Sequence, residues 1–193
     1  MQSDDSILET IRQDRVLAEL LRQTCDFDLT RSGHGADASL SSGDALQAIA
    51  GDFSGGTFFL CGSDRATRPV MYASSEGQAG VIGWSLAEAL EIMIGLPSWQ
   101  DCLGYSGGGD IAAMRSAADH LRNDELRQDP EADARRAKLA QALLLEPRTV
   151  PDLLERLRAA VAATTPDFVF SDDTGEYESL FGPWLPSRNR AWT

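Results

Sequence analysis

The chain has 193 residues, of which 42% are hydrophobic and 24% are charged, and its formal net charge is −13. This length is enough for one well-formed core and argues against a second complete domain. So acidic a surface repels phosphate groups, which argues against direct binding to nucleic acid or to a membrane of anionic lipid and favours a basic protein partner.

Cysteine usage and hydropathy predict a soluble, cytoplasmic protein. The three cysteines, Cys25, Cys61 and Cys102, are odd in number and show no C-x-x-C spacing, so reduced structural thiols are expected. The first five residues, Met-Gln-Ser-Asp-Asp, are acidic, and no apolar run reaches the length of a membrane span. Neither a signal peptide nor a transmembrane helix is therefore predicted.

The chain opens with a predicted amphipathic helix. Ser6 and Glu9 have the spacing of a capping box, and leucine and isoleucine recur at helical intervals to about Thr24. Residues 31–42 are rich in Gly, Ser and Asp and are expected to form a loop. Residues 46–50 fit either a short helix or a strand by periodicity alone.

The clearest local signals lie between Gly51 and Gly95. Three apolar runs, Thr57–Cys61, Val70–Ala73 and residues 79–82, are bounded by turn residues and are predicted to be strands. Each strand follows its neighbour after a short connection. The pattern therefore predicts a three-stranded antiparallel meander.

A well-marked helix follows the meander. Ser85 and Glu88 form a second capping box, and Leu90 belongs to an apolar stripe at helical spacing. Gly95 is expected to form a left-handed C-terminal cap, and Pro97 blocks continuation. This helix is expected to place one apolar face on the sheet.

The order of these features resembles the SUKH superfamily, the Smi/Knr-type immunity proteins, over roughly residues 46–95. The resemblance rests on five features: Asp52-x-x-Gly55-Gly56, the aromatic strand after it, the Pro69-Val-x-Tyr72 strand, the acidic turn Glu76-Gly77 and the helix led by Ser85. The family's Leu-Pro and Trp-Gly elements near the N-terminus are not visible here. The resemblance implies a strand at residues 46–50 and a protein that binds and neutralises a toxin without being an enzyme.

Three more helices are predicted beyond residue 105. The first follows Asp110 at its N-cap, the second has Pro130 at its first helical position, and the third opens at Thr149. Helical spacing predicts these buried residues: Ile111, Met114, Ala117, Ala118, Leu121, Leu139, Leu143, Leu144, Leu153, Leu154, Leu157 and Val161. Residues 168–170 are expected to form an edge strand, and the aromatic tail is expected to pack back on the body.

These elements predict one α+β domain over residues 1–193. Its small, mainly antiparallel sheet is flanked by helices within about residues 1–105. Residues 106–165 are expected to form a helical C-terminal extension, and residues 166–193 a tail that packs back on the body.

One motif suggests catalysis. Gly104-Tyr-Ser106-Gly-Gly108 matches the G-x-S-x-G nucleophile elbow and precedes a predicted helix. An elbow needs an apolar strand just before its serine, and residues 97–103 do not provide one. The one downstream histidine, His120, lies on the helix that would follow the elbow. These two observations argue against catalysis, and a small serine hydrolase using Ser106 is kept as the alternative hypothesis.

Four residues are candidates for a binding surface: Asp52, Glu76, Trp84 and Trp99. Exposed carboxylates on sheet turns would form an acidic face, and tryptophans beside them would anchor a partner. Alternatively, the tryptophans are core residues and the acids are solvated turn residues. We predict a protein-binding, immunity-type function toward a basic toxin such as a nuclease, with no metal or other cofactor. A regulatory adaptor unrelated to toxins is a further alternative.

Overall fold

A computed structural model describes residues 2–32, 37–63, 66–96, 98–190 and 192 of the protein. Within these residues it has seven α-helices: α1 (Asp4–Gln13), α2 (Arg15–Cys25), α3 (Leu86–Gly95), α4 (Trp99–Gly104), α5 (Ile111–Gln128), α6 (Ala132–Ala142) and α7 (Val150–Ala162). The strands of the same residues are β1 (Ser39–Leu40), β2 (Leu46–Gly51), β3 (Thr57–Cys61), β4 (Val70–Ala73), β5 (Gln78–Gly83), β6 (Phe170–Asp172), β7 (Gly175–Glu176) and β8 (Glu178–Ser179).

The strands form two small sheets. The larger has the order β2-β3-β4-β5-β8, in which β2 to β5 form an antiparallel meander and β8 runs parallel to β5. The smaller has the order β1-β6-β7 and is antiparallel. The predicted α+β class, the meander and the strand at residues 46–50 are therefore confirmed.

The larger sheet is buried on both faces at its centre. Phe58 lies opposite Tyr72, and both side chains belong to the main core. Phe59 lies opposite Met71, and both point to the other face, where Phe170 of β6 also packs. A continuously apolar strand such as β3 is typical of a sheet covered on both sides.

The helices beyond residue 105 belong to the same core as the sheet. Met114 of α5, Leu139 of α6 and Leu153 of α7 pack in the main core together with Phe58 of the sheet. Helix α7 contacts β5 and α3 directly. The segment 106–165 thus completes the core of the sheet-bearing half.

The predicted N-terminal helix is two helices, and its expected start is wrong. Ser3, rather than Ser6, caps α1. Asp14 ends α1 and caps α2, because its carboxylate accepts hydrogen bonds from the backbone N–H groups of Val16 and Leu17. A short acidic side chain that binds nearby backbone N–H groups favours a helix start over a helix interior.

Gly95 does not form the expected left-handed cap. It lies within α3, whose C-cap is Leu96 in extended conformation. A Cβ added to Gly95 would lie 2.3 Å from Leu153 Cδ1, so this glycine allows α7 to pack closely on α3. Pro97, which was expected to stop the helix, lies outside the described residues, as does His34.

Three further expectations differ from the structure. Helix α4 occupies part of a stretch in which no helix was predicted, and α6 begins at Ala132, two residues beyond Pro130. Strand β6 begins at Phe170 rather than at residue 168. Leu144 is 75% exposed and has a φ of 54°, because α6 ends at Ala142 and the chain turns outward there. Along the described residues, no helix has both the length and the apolar composition of a membrane span.

Candidate functional site

Asp52 is the centre of a buried hydrogen-bond network. One carboxylate oxygen accepts from the Gly56 N–H and the Ser54 hydroxyl, each at 2.8 Å. The other accepts from the Tyr72 hydroxyl at 2.6 Å and from Gln100 Nε2 at 3.4 Å. Asp52 is only 2% exposed, and a buried carboxylate is stable when its oxygens are bonded in this way.

The Asp52-x-x-Gly55-Gly56 motif builds this network. It forms the turn between β2 and β3, where the Asp52 N–H donates to the Gly56 carbonyl. Gly55 has a φ of 95°, and a Cβ on Gly56 would lie 2.4 Å from the Tyr72 hydroxyl oxygen. Glycine at position 56 therefore lets the tyrosine reach the carboxylate.

The structure confirms the alternative in which Trp99 is a core residue, and it contradicts the expectation that Asp52 is exposed. Trp99 is 3% exposed, and its ring packs edge-on against Tyr72 with 5.1 Å between the centroids. Burial, together with the hydrogen bond to Asp52, raises the pKa of Tyr72 above its ordinary value, so the phenol stays the proton donor of this hydrogen bond well into the alkaline range. Asp52 and Trp99 therefore support the site from the interior of the protein and are not part of its exposed surface.

A cleft of about 240 Å³ lies directly in front of this network. Its lining includes Ser54, Tyr72, Glu76, Trp99 and Gln100. Three of these side chains contact Asp52, and Glu76 lies on the β4–β5 turn at the rim, where it is exposed. The structure thus brings three of the four predicted residues, Asp52, Glu76 and Trp99, to one place.

Exposed residues of two neighbouring turns and of α4 surround the cleft. Ser54, Ser75, Glu76 and Gln100 line it, and Phe53 precedes Ser54 on the same turn; we call these five exposed residues the turn-end surface. Phe53 is 81% exposed at the tip of the β2–β3 turn, and its N–H donates to the Asp26 carboxylate at 2.9 Å. The guanidinium group of Arg31, which pairs with Asp28, lies over the Phe53 ring at 5.9 Å from its centroid. An exposed aromatic side chain beside carboxylates is the central feature of this surface.

Trp84 lies away from the turn-end surface. It follows the end of β5, whereas Glu76 precedes its start, and a six-residue strand spans about 17 Å. Its side chain is 43% exposed and packs edge-on against Phe168, with 6.0 Å between the centroids. Trp84 and Glu76 therefore lie at opposite ends of β5, on separate parts of the surface.

Sequence reasoning missed Phe53, Tyr72 and Gln100 as site residues. The D-x-x-G-G motif places Phe53 at the tip of a turn, where an aromatic residue is unusual. This unusual position is the signal that could have identified Phe53 as a site residue. Gln100 carried no signal, because α4 is short and was not predicted.

Ser106 does not lie on a nucleophile elbow. Helix α4, rather than a strand, precedes it, and the serine is buried. Its hydroxyl donates to the Gly182 carbonyl at 3.2 Å and accepts from the Gly109 N–H at 3.1 Å. The ring of His120 stacks on Trp192 at 5.5 Å instead of contacting the serine. The structure therefore agrees with the sequence in placing no strand directly before Ser106, and the elbow geometry that the hydrolase alternative requires is not formed there.

The G-x-S-x-G segment instead receives the C-terminal tail. The Gly107 N–H donates to the Trp184 carbonyl at 2.8 Å. A Cβ on Gly107 would lie 2.6 Å from Leu185 Cδ2, and one on Gly182 would lie 2.3 Å from the Gly104 carbonyl oxygen. Small residues on both sides allow the two backbones to approach closely. The prediction that the tail packs back on the body is thus confirmed for these residues.

The described residues contain no cluster of three or more histidine, cysteine or acidic side chains that could hold a metal ion. Comparisons of the chain with known protein families, with curated proteins and with solved structures give no match.

Proposed function

We propose that this protein is a non-enzymatic, cytoplasmic protein-binding module of the immunity type, which binds and neutralises a basic toxin through the turn-end surface. The sequence resemblance to the SUKH superfamily supports the immunity role. A nuclease is a suitable class of toxin, because it must itself be basic to hold nucleic-acid phosphates.

One observation carries the proposal: Phe53 is exposed at the tip of the β2–β3 turn, where its N–H donates to the Asp26 carboxylate, and Glu76 is exposed on the turn on the other side of the cleft-lining Ser54 and Ser75. Exposed aromatic side chains are frequent anchors of protein interfaces, and carboxylates around an anchor select a basic partner. The buried Asp52 network behind the surface fixes the β2–β3 turn against β4 and α4. A fixed surface loses less conformational entropy on binding.

The charge distribution agrees with this choice of surface. Residues 1–105 carry 15 acidic and 6 basic side chains, whereas residues 106–165 carry 10 and 9. The acidic excess therefore lies in the half that contains the turn-end surface. A basic partner would be steered toward that half before contact.

The test begins with the partner. The purified chain would be used as bait in a lysate of the source cell, and proteins that are retained by the native chain but not by Phe53→Ala would be identified. A basic toxin in this set supports the proposal. The absence of any protein with this dependence, or an acidic one, would contradict it.

Binding kinetics then test the role of charge. Raising the salt concentration from about 50 to 500 mM shortens the Debye length from roughly 14 to 4 Å, so the association rate should fall roughly tenfold or more while dissociation changes little. The pair Asp26→Asn and Glu76→Gln should reproduce part of that loss. Asp119→Asn with Glu131→Gln is the matched control, because both residues are exposed in the near-neutral segment.

The hydrolase alternative has its own test. A serine-directed fluorophosphonate should leave Ser106 unlabelled in the folded protein, because the serine is fully buried and its hydroxyl is bonded to the Gly182 carbonyl and the Gly109 N–H. Stoichiometric labelling that disappears in Ser106→Ala would favour the hydrolase over the binding module.

A further inference from the structure

A second surface lies along α3, at the end of β5 opposite to the turn-end surface. Two hollows of about 550 and 410 Å³ adjoin here. Both are lined by Glu91, Leu145, Glu146 and Arg148, so they form one continuous groove. We call it the α3 groove.

Apolar groups lie at both ends of this groove. Trp84 and Leu144 line the first hollow, and they are 43% and 75% exposed. Ile94, Ala140 and Leu153 line the second hollow. Leu144 makes no contribution to the core and has the left-handed backbone conformation that usually favours glycine or asparagine. An exposed leucine at such a position indicates a contact outside the chain.

The middle of the groove is acidic. Arg148 is surrounded by three carboxylates, those of Glu91 at 3.4 Å, Glu146 at 2.8 Å and Asp152 at 4.0 Å. Asp152 also pairs with Arg156 at 3.0 Å.

Glu88 adds a further carboxylate to the groove, and it also pairs with Arg156, at 3.2 Å. Four carboxylates therefore pair with the two guanidinium groups of Arg148 and Arg156, which leaves two negative charges uncompensated in this ion-pair cluster. Asp152 lies beside the hollows, and Arg136, which lines the second hollow, is already paired with Glu125 and Asp133. A cationic side chain of a ligand would complement this excess.

From this arrangement we infer that the α3 groove docks a peptide segment of a partner protein in which a lysine or arginine lies between two apolar side chains. One apolar side chain would pack on Trp84 and Leu144, and the other would enter the hollow beside Ile94. A second copy of this chain is a poor occupant, because each copy carries a net charge of −13 and the two would repel. This inference does not depend on the proposed function of the turn-end surface.

Selection from a library of random short peptides displayed on phage, with the whole purified chain as bait, tests the inference. The enriched peptides should share a basic residue flanked by apolar residues. A synthetic peptide of the enriched sequence should bind the chain in solution by fluorescence anisotropy, and replacement of its basic residue by alanine should weaken binding roughly tenfold or more.

Variants of the chain locate the site. Leu144→Asp and Glu146→Arg should each weaken binding of the enriched peptide roughly tenfold or more, because they alter an apolar end and the acidic middle. Val16→Asp is the matched control, since Val16 is another exposed apolar residue, on α2. Circular dichroism would confirm that each variant is folded.

Three outcomes would overturn the inference: no enriched sequence, an enriched sequence without a basic residue, or binding that ignores both groove variants. Binding that is lost equally in Val16→Asp would also contradict it, because the peptide would then sit elsewhere.

Discussion

The Asp52 network offers the sharpest test of how this site is built. Replacing Asp52 with Ala removes the acceptor for four donors. Ser54 and Gln100 are exposed and can turn to water, whereas the buried Gly56 N–H would lose its partner and the buried Tyr72 hydroxyl would lose the acceptor of its proton, keeping only the hydrogen bond that it accepts from Gln100 Nε2 at 3.3 Å. An unpaired buried polar group costs about 1 to 3 kcal/mol, so the free energy of unfolding should fall by about 2 to 5 kcal/mol. Urea denaturation followed by circular dichroism measures this loss.

A double-mutant cycle separates the tyrosine from the rest of the network. Tyr72→Phe alone should cost about 1.5 to 3 kcal/mol, because it removes a hydrogen bond to the Asp52 carboxylate. In the double variant the phenylalanine leaves no unpaired hydroxyl. The combined loss should therefore be smaller than the sum of the single losses by about 1 kcal/mol or more.

Glu76→Ala is the matched surface control, and its effect on stability should stay within about 0.5 kcal/mol. The reasoning would be refuted if Asp52→Ala cost no more than this control. Strict additivity of the Asp52 and Tyr72 changes would likewise show that the 2.6 Å contact carries no coupling.

Three further outcomes follow from the packing. Leu90→Ala should lower the free energy of unfolding by about 2 to 4 kcal/mol in a denaturant titration, since Leu90 is fully buried; a loss below about 0.5 kcal/mol would contradict its place in the core. Gly182→Ala should detach the tail, because the new Cβ would meet the Gly104 carbonyl at 2.3 Å, and limited proteolysis should then cleave the tail faster than in the native chain. Burial raises the pKa of the Cys61 and Cys102 thiols to about 12, so neither should react with a thiol reagent at about pH 8 until denaturant is added; rapid reaction of the native chain would show that they are accessible.

The strands and helix starts could be predicted from the sequence, because the residues that specify them lie close together in the chain. Strand β3 is recognisable from a continuous apolar run between glycines, and Ser85 marks the start of α3 because its hydroxyl accepts a hydrogen bond three residues ahead, from the Glu88 N–H at 3.1 Å. Asp110 and Thr149 likewise cap α5 and α7 as predicted. A capping hydrogen bond depends on residues a few positions apart and needs no tertiary contact.

The site could be predicted only in part, because burial depends on which elements meet in space. Asp52 was expected at the surface, and Trp99 either at the surface or in the core; both are interior groups because α4 packs over the sheet. Gly95 is a cap by local rules, yet it lies within α3, where its missing side chain leaves room for Leu153 of α7. The sequence by itself determined the strands, the capped helices and the acidic character. Tertiary packing alone decided which carboxylates stayed in water and which groups gathered at the cleft, because both depend on contacts between residues distant in the chain.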